Sequence, residues 1–364
     1  MTSAIALLAG FGQSAWYDNL TRAVANGGLD ALVSEHGISG VTSNPTIFEK
    51  AIAGGHDYDE DLAAAARSGR DPEAVYWDLV CTDIGAAADR LIPIHRATHG
   101  RDGFVSVEVS PTLADDAAGT IAQAEELSAR IARPNVMIKI PATPAGLPAI
   151  RAVIAAGIPV NVTLIFSVER YRSVIDAYLG GLEDRLAAAP GAPLPRSVAS
   201  FFVSRVDTEV DLRLPDSSPW RGRTAVANAR LAYREFRASL DTDRWHSLEA
   251  AGAHCQRPLW ASTSTKNPDY PADLYVAPLI GPDTVNTLAD ASITVLAEPG
   301  SELRAGTVSE DPDGTEAVFA GIAAAGVDLA DVTAVLEREG VEAFARSFRD
   351  AVATVEQRMT ELVA

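Results

Sequence analysis

The chain has 364 residues, with 49 acidic against 30 basic side chains and a formal net charge of −19. Length alone allows about two domains at ~150 residues each, or one large α/β barrel with extensions. Such acidity excludes an electrostatic nucleic-acid binder but not an anionic small ligand, because a few placed cations dominate a local site.

Along the chain, short apolar or β-branched runs alternate with helical stretches. The runs cover residues 14–18, 38–44, 104–110, 136–142, 158–166, 197–205, 258–263 and 274–281. Helical signals follow the first at 19–26, and the second at 59–67 and 71–88, the latter opened by a proline. They follow the third at 115–131, the fourth at 147–155 and the fifth at 167–182. After the sixth come 207–213 and 224–239, with surface loops at 187–195 and 214–222. Strand–helix alternation predicts a parallel sheet with helices outside. Eight such units predict a (β/α)8 TIM barrel closed by right-handed crossovers. An open doubly wound sheet is the alternative, weakened by the lack of G-x-G-x-x-G after an early strand. Residues 314–326, 328–340 and 341–363 read as helices. The expected organisation is one barrel domain over 1–364, with residues 314–364 as a C-terminal helical extension packed on it.

No run of about 18 uncharged apolar residues occurs, so no membrane-spanning helix and no membrane partner are expected. Residues 1–12 lack the basic opening of a signal peptide. Cys81 and Cys255 offer neither a disulfide framework nor a metal cluster. Both read as buried thiols in a reducing cytoplasm.

Of the 30 basic residues only Lys50, Lys139 and Lys266 are lysines. Arginine cannot act as an amine nucleophile, so these positions are where its replacement of lysine would fail. Lys50 reads as a helix surface residue. Lys139 sits inside Val-Met-Ile-Lys-Ile-Pro-Ala. A lysine directed into a barrel is costly unless paired or neutral, and a neutral amine attacks carbonyls. A snorkelling or ion-paired structural lysine is the other reading.

Polar residues recur near the ends of other runs, where barrel strands are ordinarily apolar and where barrel active sites lie. Ser106, Glu108 and Ser110 share one face by strand alternation. Glu108 is either catalytic or a buried partner for Lys139. Asn161 and Thr163 share a face, as do Thr42 and Asn44; satisfied core groups are the alternative for both pairs. Asp18 ends the first run, and is a catalytic carboxylate or a helix N-cap. Ser200, Phe202 and Ser204 share a face, with Arg205 at its end. Ser262, Ser264 and Lys266 follow the seventh run. Hydroxyls and cations at adjoining strand ends suit a phosphate. Arg205 pairing with Asp207 or Glu209, and Lys266 in a solvated loop, are the alternatives. An amine, carboxylates, amides and a cationic rim at one barrel mouth together fit Schiff-base aldol chemistry on a phosphorylated sugar.

The segments Gly12-Gln-Ser-Ala-Trp-Tyr-Asp-Asn19, Gly40-Val-Thr-Ser-Asn-Pro-Thr-Ile-Phe48 and Val105-Ser-Val-Glu-Val109 resemble transaldolase motifs. So do Ile138-Lys-Ile-Pro-Ala142, Asn161-Val-Thr-Leu-Ile-Phe166, Ser200-Phe-Phe-Val-Ser-Arg205 and residues 259–267. The resemblance spans nearly the whole chain and is closest to the longer bacterial subfamily. It implies transfer of a dihydroxyacetone unit between ketose and aldose phosphates, on a barrel, with no metal or organic cofactor. The partners implied are sugar phosphates, for a chain acting as a monomer or homodimer. It also implies that Lys139 forms an imine with the ketose. Glu108 and Thr163 would relay protons through a water, and Asp18 would act on the C4 hydroxyl. Asn44, Asn161 and Ser200 would hold the dihydroxyacetone hydroxyls, and Arg205 and Ser262 the phosphate. Shorter relatives carry a second phosphate-binding arginine where Ser264 stands here, and Lys266 is the expected substitute. Phe202 fits a transferase; a tyrosine there would fit an aldolase releasing free dihydroxyacetone. A sugar-phosphate aldolase and a non-catalytic sugar-phosphate-binding barrel are the competing readings.

Overall fold

Every residue of the strands is buried, as in a parallel sheet covered on both faces. A computed structural model describes residues 3–298 and 303–363. In it the strands are β1 (Gln13–Tyr17), β2 (Gly40–Thr42), β3 (Val105–Glu108) and β4 (Val136–Pro141). They continue as β5 (Val160–Ile165), β6 (Ser197–Phe202), β7 (Arg257–Ala261) and β8 (Thr284–Leu288). They close in chain order into a parallel barrel with helices between them. This is the expected (β/α)8 architecture.

Register sets which side chains meet. Glu108 of β3 pairs with Lys139 of β4, and Lys139 with Asn161 of β5, so one level of the barrel carries all three. Helix starts fix the loops between. Asn44 caps Pro45–Gly54 by accepting from the Ile47 N–H at 3.1 Å, with Pro45 in the first turn. Asp71 caps Pro72–Ala97, and Ser167 caps Val168–Ala188.

The structure corrects several expectations. Residues 274–281 are not the eighth strand. Proline within Ala277–Leu279 supports a 3-10 turn. The Leu279 carbonyl there accepts from Gln13 Nε2 at 2.8 Å and Trp260 Nε1 at 2.9 Å. The segment is apolar because it packs on the outside of the barrel, against the helix Thr224–Ser239. The true β8 carries Thr284, Asn286 and Thr287: Thr284 accepts from Gln13 of β1, Asn286 from Thr263 just after β7, and Thr287 donates to the Trp260 carbonyl of β7. The sixth strand stops at Phe202; Ser204 and Arg205 open the helix Ser204–Arg213. The helix expected at 19–26 begins at Arg22, and runs through a π-turn into Leu29–His36. Helices Asp243–Ala250 and Asp290–Ala297 were not anticipated.

At the C-terminus, Pro312–Ala324 is followed by one continuous helix, Leu329–Glu361, instead of two. Gly340 does not break it. A Cβ there would sit 3.0 Å from Leu164 Cδ2, so glycine lets the helix cross closely over the end of β5. Among the described residues no single helix is long and apolar enough to cross a membrane.

Candidate active site

Lys139 points inward and is 6% exposed. Its Nζ donates to the Ser43 carbonyl at 3.0 Å and to Glu108 Oε2 at 3.4 Å. Burial pushes the Glu108 carboxyl up from its ordinary value; the charge and hydrogen bond of Lys139 pull it back only in part, and Asp18 adds a smaller upward push. Glu108 is therefore biased toward its neutral, proton-donating form. The Thr163 hydroxyl is buried with no hydrogen-bond partner among the described residues, and Thr163 lines the same cavity as Lys139.

That cavity has a volume of about 210 Å³ and opens at the C-terminal end of the strands. Asp18, Asn44, Ser200, Phe202, Arg205, Ser262 and Lys266 line it together with Lys139 and Thr163. Asp18 accepts from Thr42 Oγ1 at 2.6 Å, so its carboxylate faces the cavity and caps no helix. Glu108 and Asn161 do not line this cavity. Glu108 lies behind Lys139, in a small crevice shared with Tyr76 and Phe348. Asn161 is fully buried, donating to Ser106 Oγ at 3.0 Å and accepting from Ser200 Oγ at 2.7 Å. Its amide orients Ser200 from beneath.

The opposite end of the cavity is cationic. Among the described residues, Arg205 has no carboxylate within ion-pair distance. Asp207 instead accepts from the Ala225 N–H at 2.8 Å and from Tyr275 Oη at 3.0 Å, and burial pushes its carboxyl up to about 7. Glu209 pairs with Arg213 at 2.7 Å. Burial lowers the Arg205 guanidinium from its ordinary value with no anion to offset it. Its guanidinium stacks over the Phe202 ring at 5.4 Å. Arg257, at the other end of the barrel, is the contrast. It donates to Ser14 Oγ at 2.5 Å, the Thr284 carbonyl at 2.6 Å and the Arg101 carbonyl at 3.1 Å, and Asp102 lies 3.6 Å away. Arg257 is committed to structure, while Arg205 makes no ion pair among the described residues. Ser262 shares a 3.0 Å contact with Ser204, and Lys266 is exposed at the rim. Lys50 is exposed on Pro45–Gly54, as expected.

Two strand ends at this mouth hold left-handed backbone without glycine: Leu164, with φ 60°, and Ser262, with φ 55°. The pairing of β5 with β6 shifts register between Val162 and Ile165. Such conformations cost of order 1–3 kcal/mol each and concentrate at functional sites. Here they turn the chain just after Thr163 and at Ser262. Sequence reasoning missed Phe344, whose ring lines the cavity with its centroid 5.9 Å from Lys139 Nζ. Its only sequence signal is an apolar helix position. Thr42 was noted beside Asn44 but not as the residue holding Asp18. Among the described residues no group of three or more His, Cys, Asp or Glu side chains is arranged to hold a metal ion.

The geometry is that of a closed (β/α)8 barrel whose mouth holds a buried amine and, among the described residues, a guanidinium without an ion pair. The chain belongs to the transaldolase/fructose-6-phosphate aldolase family, whose model matches residues 15–355. It is 48% identical over 353 residues to a transaldolase of Mycobacterium tuberculosis, covering 95% of this chain and 94% of that protein. A transaldolase of Mycobacterium leprae is 47% identical over 364 residues, covering 98% and 96%. One of Saccharopolyspora erythraea is 48% identical over 356 residues, covering 96% of each.

Proposed function

We propose that this chain is a transaldolase. It moves a dihydroxyacetone unit from sedoheptulose 7-phosphate to glyceraldehyde 3-phosphate, giving erythrose 4-phosphate and fructose 6-phosphate, through a Schiff base on Lys139. The observation that carries this reading is the buried Lys139 nitrogen, 3.4 Å from Glu108, in a cavity whose far end is the unpaired Arg205.

In this mechanism the Lys139 amine adds to the ketose C2. Glu108, biased toward its neutral form, supplies the proton with which the carbinolamine oxygen leaves as water, relayed through a water held by Thr163. The protonated imine is the electron sink. Asp18 takes the C4 hydroxyl proton, the C3–C4 bond breaks, and its electron pair moves to the imine nitrogen as an enamine. The aldose leaves. The enamine carbon then attacks the acceptor aldehyde, Asp18 returns the proton, and hydrolysis of the imine frees the product and the lysine. Asn44 and Ser200 hold the dihydroxyacetone hydroxyls, with Asn161 orienting Ser200. Arg205, Ser262 and Lys266 bind the phosphate, and Phe202 stacks beneath Arg205. The two free thiols, Cys81 and Cys255, fit a reducing cytoplasm as the setting, with the chain acting as a monomer or homodimer.

Borohydride reduction in the presence of fructose 6-phosphate, followed by peptide mass mapping, is expected to mark Lys139 alone. Labelling of Lys50 or Lys266, or of no lysine, overturns the assignment. A coupled assay for sedoheptulose 7-phosphate formation, run with and without acceptor, separates transfer from simple aldol cleavage. The phosphate end is tested by Arg205→Gln. Loss of a charge-assisted contact is worth about 1.5–3 kcal/mol, so KM for fructose 6-phosphate should rise roughly 10- to 100-fold. The kcat/KM for unphosphorylated fructose should barely move. An equal loss for both sugars would place Arg205 outside the phosphate site.

A further inference from the structure

We propose that Phe344, on the C-terminal helix, is the roof of the active site. It keeps water from the three-carbon intermediate held on Lys139 between donor and acceptor, and so holds the enzyme to transfer. This rests on the transaldolase reading above.

All other residues lining the cavity come from the barrel strands or the segments directly after them; Phe344 alone arrives from the C-terminal helix. Its ring is 8% exposed, and its centroid lies 5.9 Å from the Lys139 nitrogen. That is within the range at which an aromatic face attracts a cation, and the imine on this nitrogen is cationic. The other large aromatic ring of the cavity, Phe202, is engaged with Arg205 at the anion end. The partners to which the nitrogen donates are polar, Glu108 and the Ser43 carbonyl, and Thr163 lines the same cavity. Phe344 is thus the apolar cover on the reacting side.

The helix that carries it is fixed on both sides of residue 344. Ser347 accepts from Thr46 Oγ1 at 2.7 Å, on the helix after β2. Glu337 pairs with Arg170 at 3.2 Å, on the helix after β5. Gly340 lets the backbone descend onto Leu164, whose left-handed conformation belongs to the β5 end. The strap therefore spans the mouth from the β2 side to the β5 side, and Phe344 hangs from its middle.

The chemistry gives this cover a task. Once the donor aldose has left, the enamine on Lys139 has two fates. Its carbon can bond to the acceptor aldehyde. Alternatively a proton adds at that carbon, water adds at C2, and the C–N bond breaks, with net consumption of one water to give free dihydroxyacetone and the free amine. Keeping bulk water out while the three-carbon enamine stands suppresses the second branch; the carbon–carbon bond of the first forms without water, and only the later hydrolysis of the product imine consumes one.

The test measures free dihydroxyacetone and sedoheptulose 7-phosphate in the same reactions, for the parent, Phe344→Ala and Phe344→Leu. The readout is the ratio of release to transfer. A merely structural role would lower both rates together and leave that ratio unchanged. The ratio should rise about tenfold in Phe344→Ala and stay near the parent value in Phe344→Leu, which keeps the apolar bulk. An unchanged ratio in the alanine variant, or equal leakage in both variants, overturns the proposal. Should the alanine variant not fold, Phe344→Val carries the same two readings. A parent enzyme that performs no transfer would instead overturn the transaldolase reading itself, which makes the two failures distinguishable.

Discussion

Lys139→Arg is expected to give a folded protein whose transaldolase turnover has fallen by about 10⁴-fold or more. Arginine preserves the positive charge beside Glu108 but offers no amine that can lose its proton and add to a carbonyl. If Lys139 served only as an ion-pair partner, this substitution would be the most forgiving one available. If it is the nucleophile, none should be worse. The site has little spare room, since Lys139 is buried against Glu108 and the Ser43 carbonyl, so some thermal stability is lost as well. Lys139→Met separates the two effects. It removes the charge and hydrogen bond that pull the Glu108 carboxyl down, leaving burial to push it further up. A carboxyl whose folded value lies above its unfolded value stabilises fully below the unfolded value, and that contribution fades as pH rises through the folded one. The methionine variant should therefore melt at steadily lower temperature as pH rises from the ordinary carboxylate range, more steeply than the parent. Thermal scans across pH and the coupled assay check both parts. Turnover in Lys139→Arg within an order of magnitude of the parent would sink the imine mechanism.

The pattern of what was readable follows from what local chemistry exposes. The first seven strands are visible because a strand covered on both faces is an apolar run, and Lys139 and Glu108 stand out inside such runs. The eighth strand was misplaced for the same reason in reverse. Thr284, Asn286 and Thr287 place polar side chains against β1, β7 and the residues just after β7, while residues 274–281 are apolar from packing on the outside of the barrel against the helix Thr224–Ser239. The sixth strand was overextended because Val203 continues the apolar run, although the backbone already turns helical at Ser204. Phe344 and Phe348 show the limit. They lie one helical turn apart on the same buried face of Leu329–Glu361. Phe348 packs edge-on against Tyr76 in the core at 5.3 Å, whereas Phe344 enters the cavity. The helical period cannot separate them, because the difference arises only where the helix crosses the barrel mouth.

Asp18→Asn is expected to cut kcat by about 10²–10⁴-fold, the usual worth of a positioned general acid–base, while leaving imine formation intact. Asparagine keeps an oxygen to accept from Thr42 Oγ1, which donates to Asp18 at 2.6 Å and orients it. It also caps helices as well as aspartate does, so a residue needed only for local structure would tolerate the change. What asparagine cannot do is take the C4 hydroxyl proton as the carbon–carbon bond breaks. The amine addition and water loss at C2 depend on Lys139, Glu108 and Thr163, and these are untouched. The variant should therefore condense with fructose 6-phosphate and stop there. Borohydride should trap the full six-carbon adduct on Lys139, where the parent also yields the three-carbon adduct left after cleavage. Mass spectrometry of the reduced peptide distinguishes the two. Near-parental turnover, or loss of the trapped adduct along with turnover, would remove Asp18 from the cleavage step and return it to a structural role.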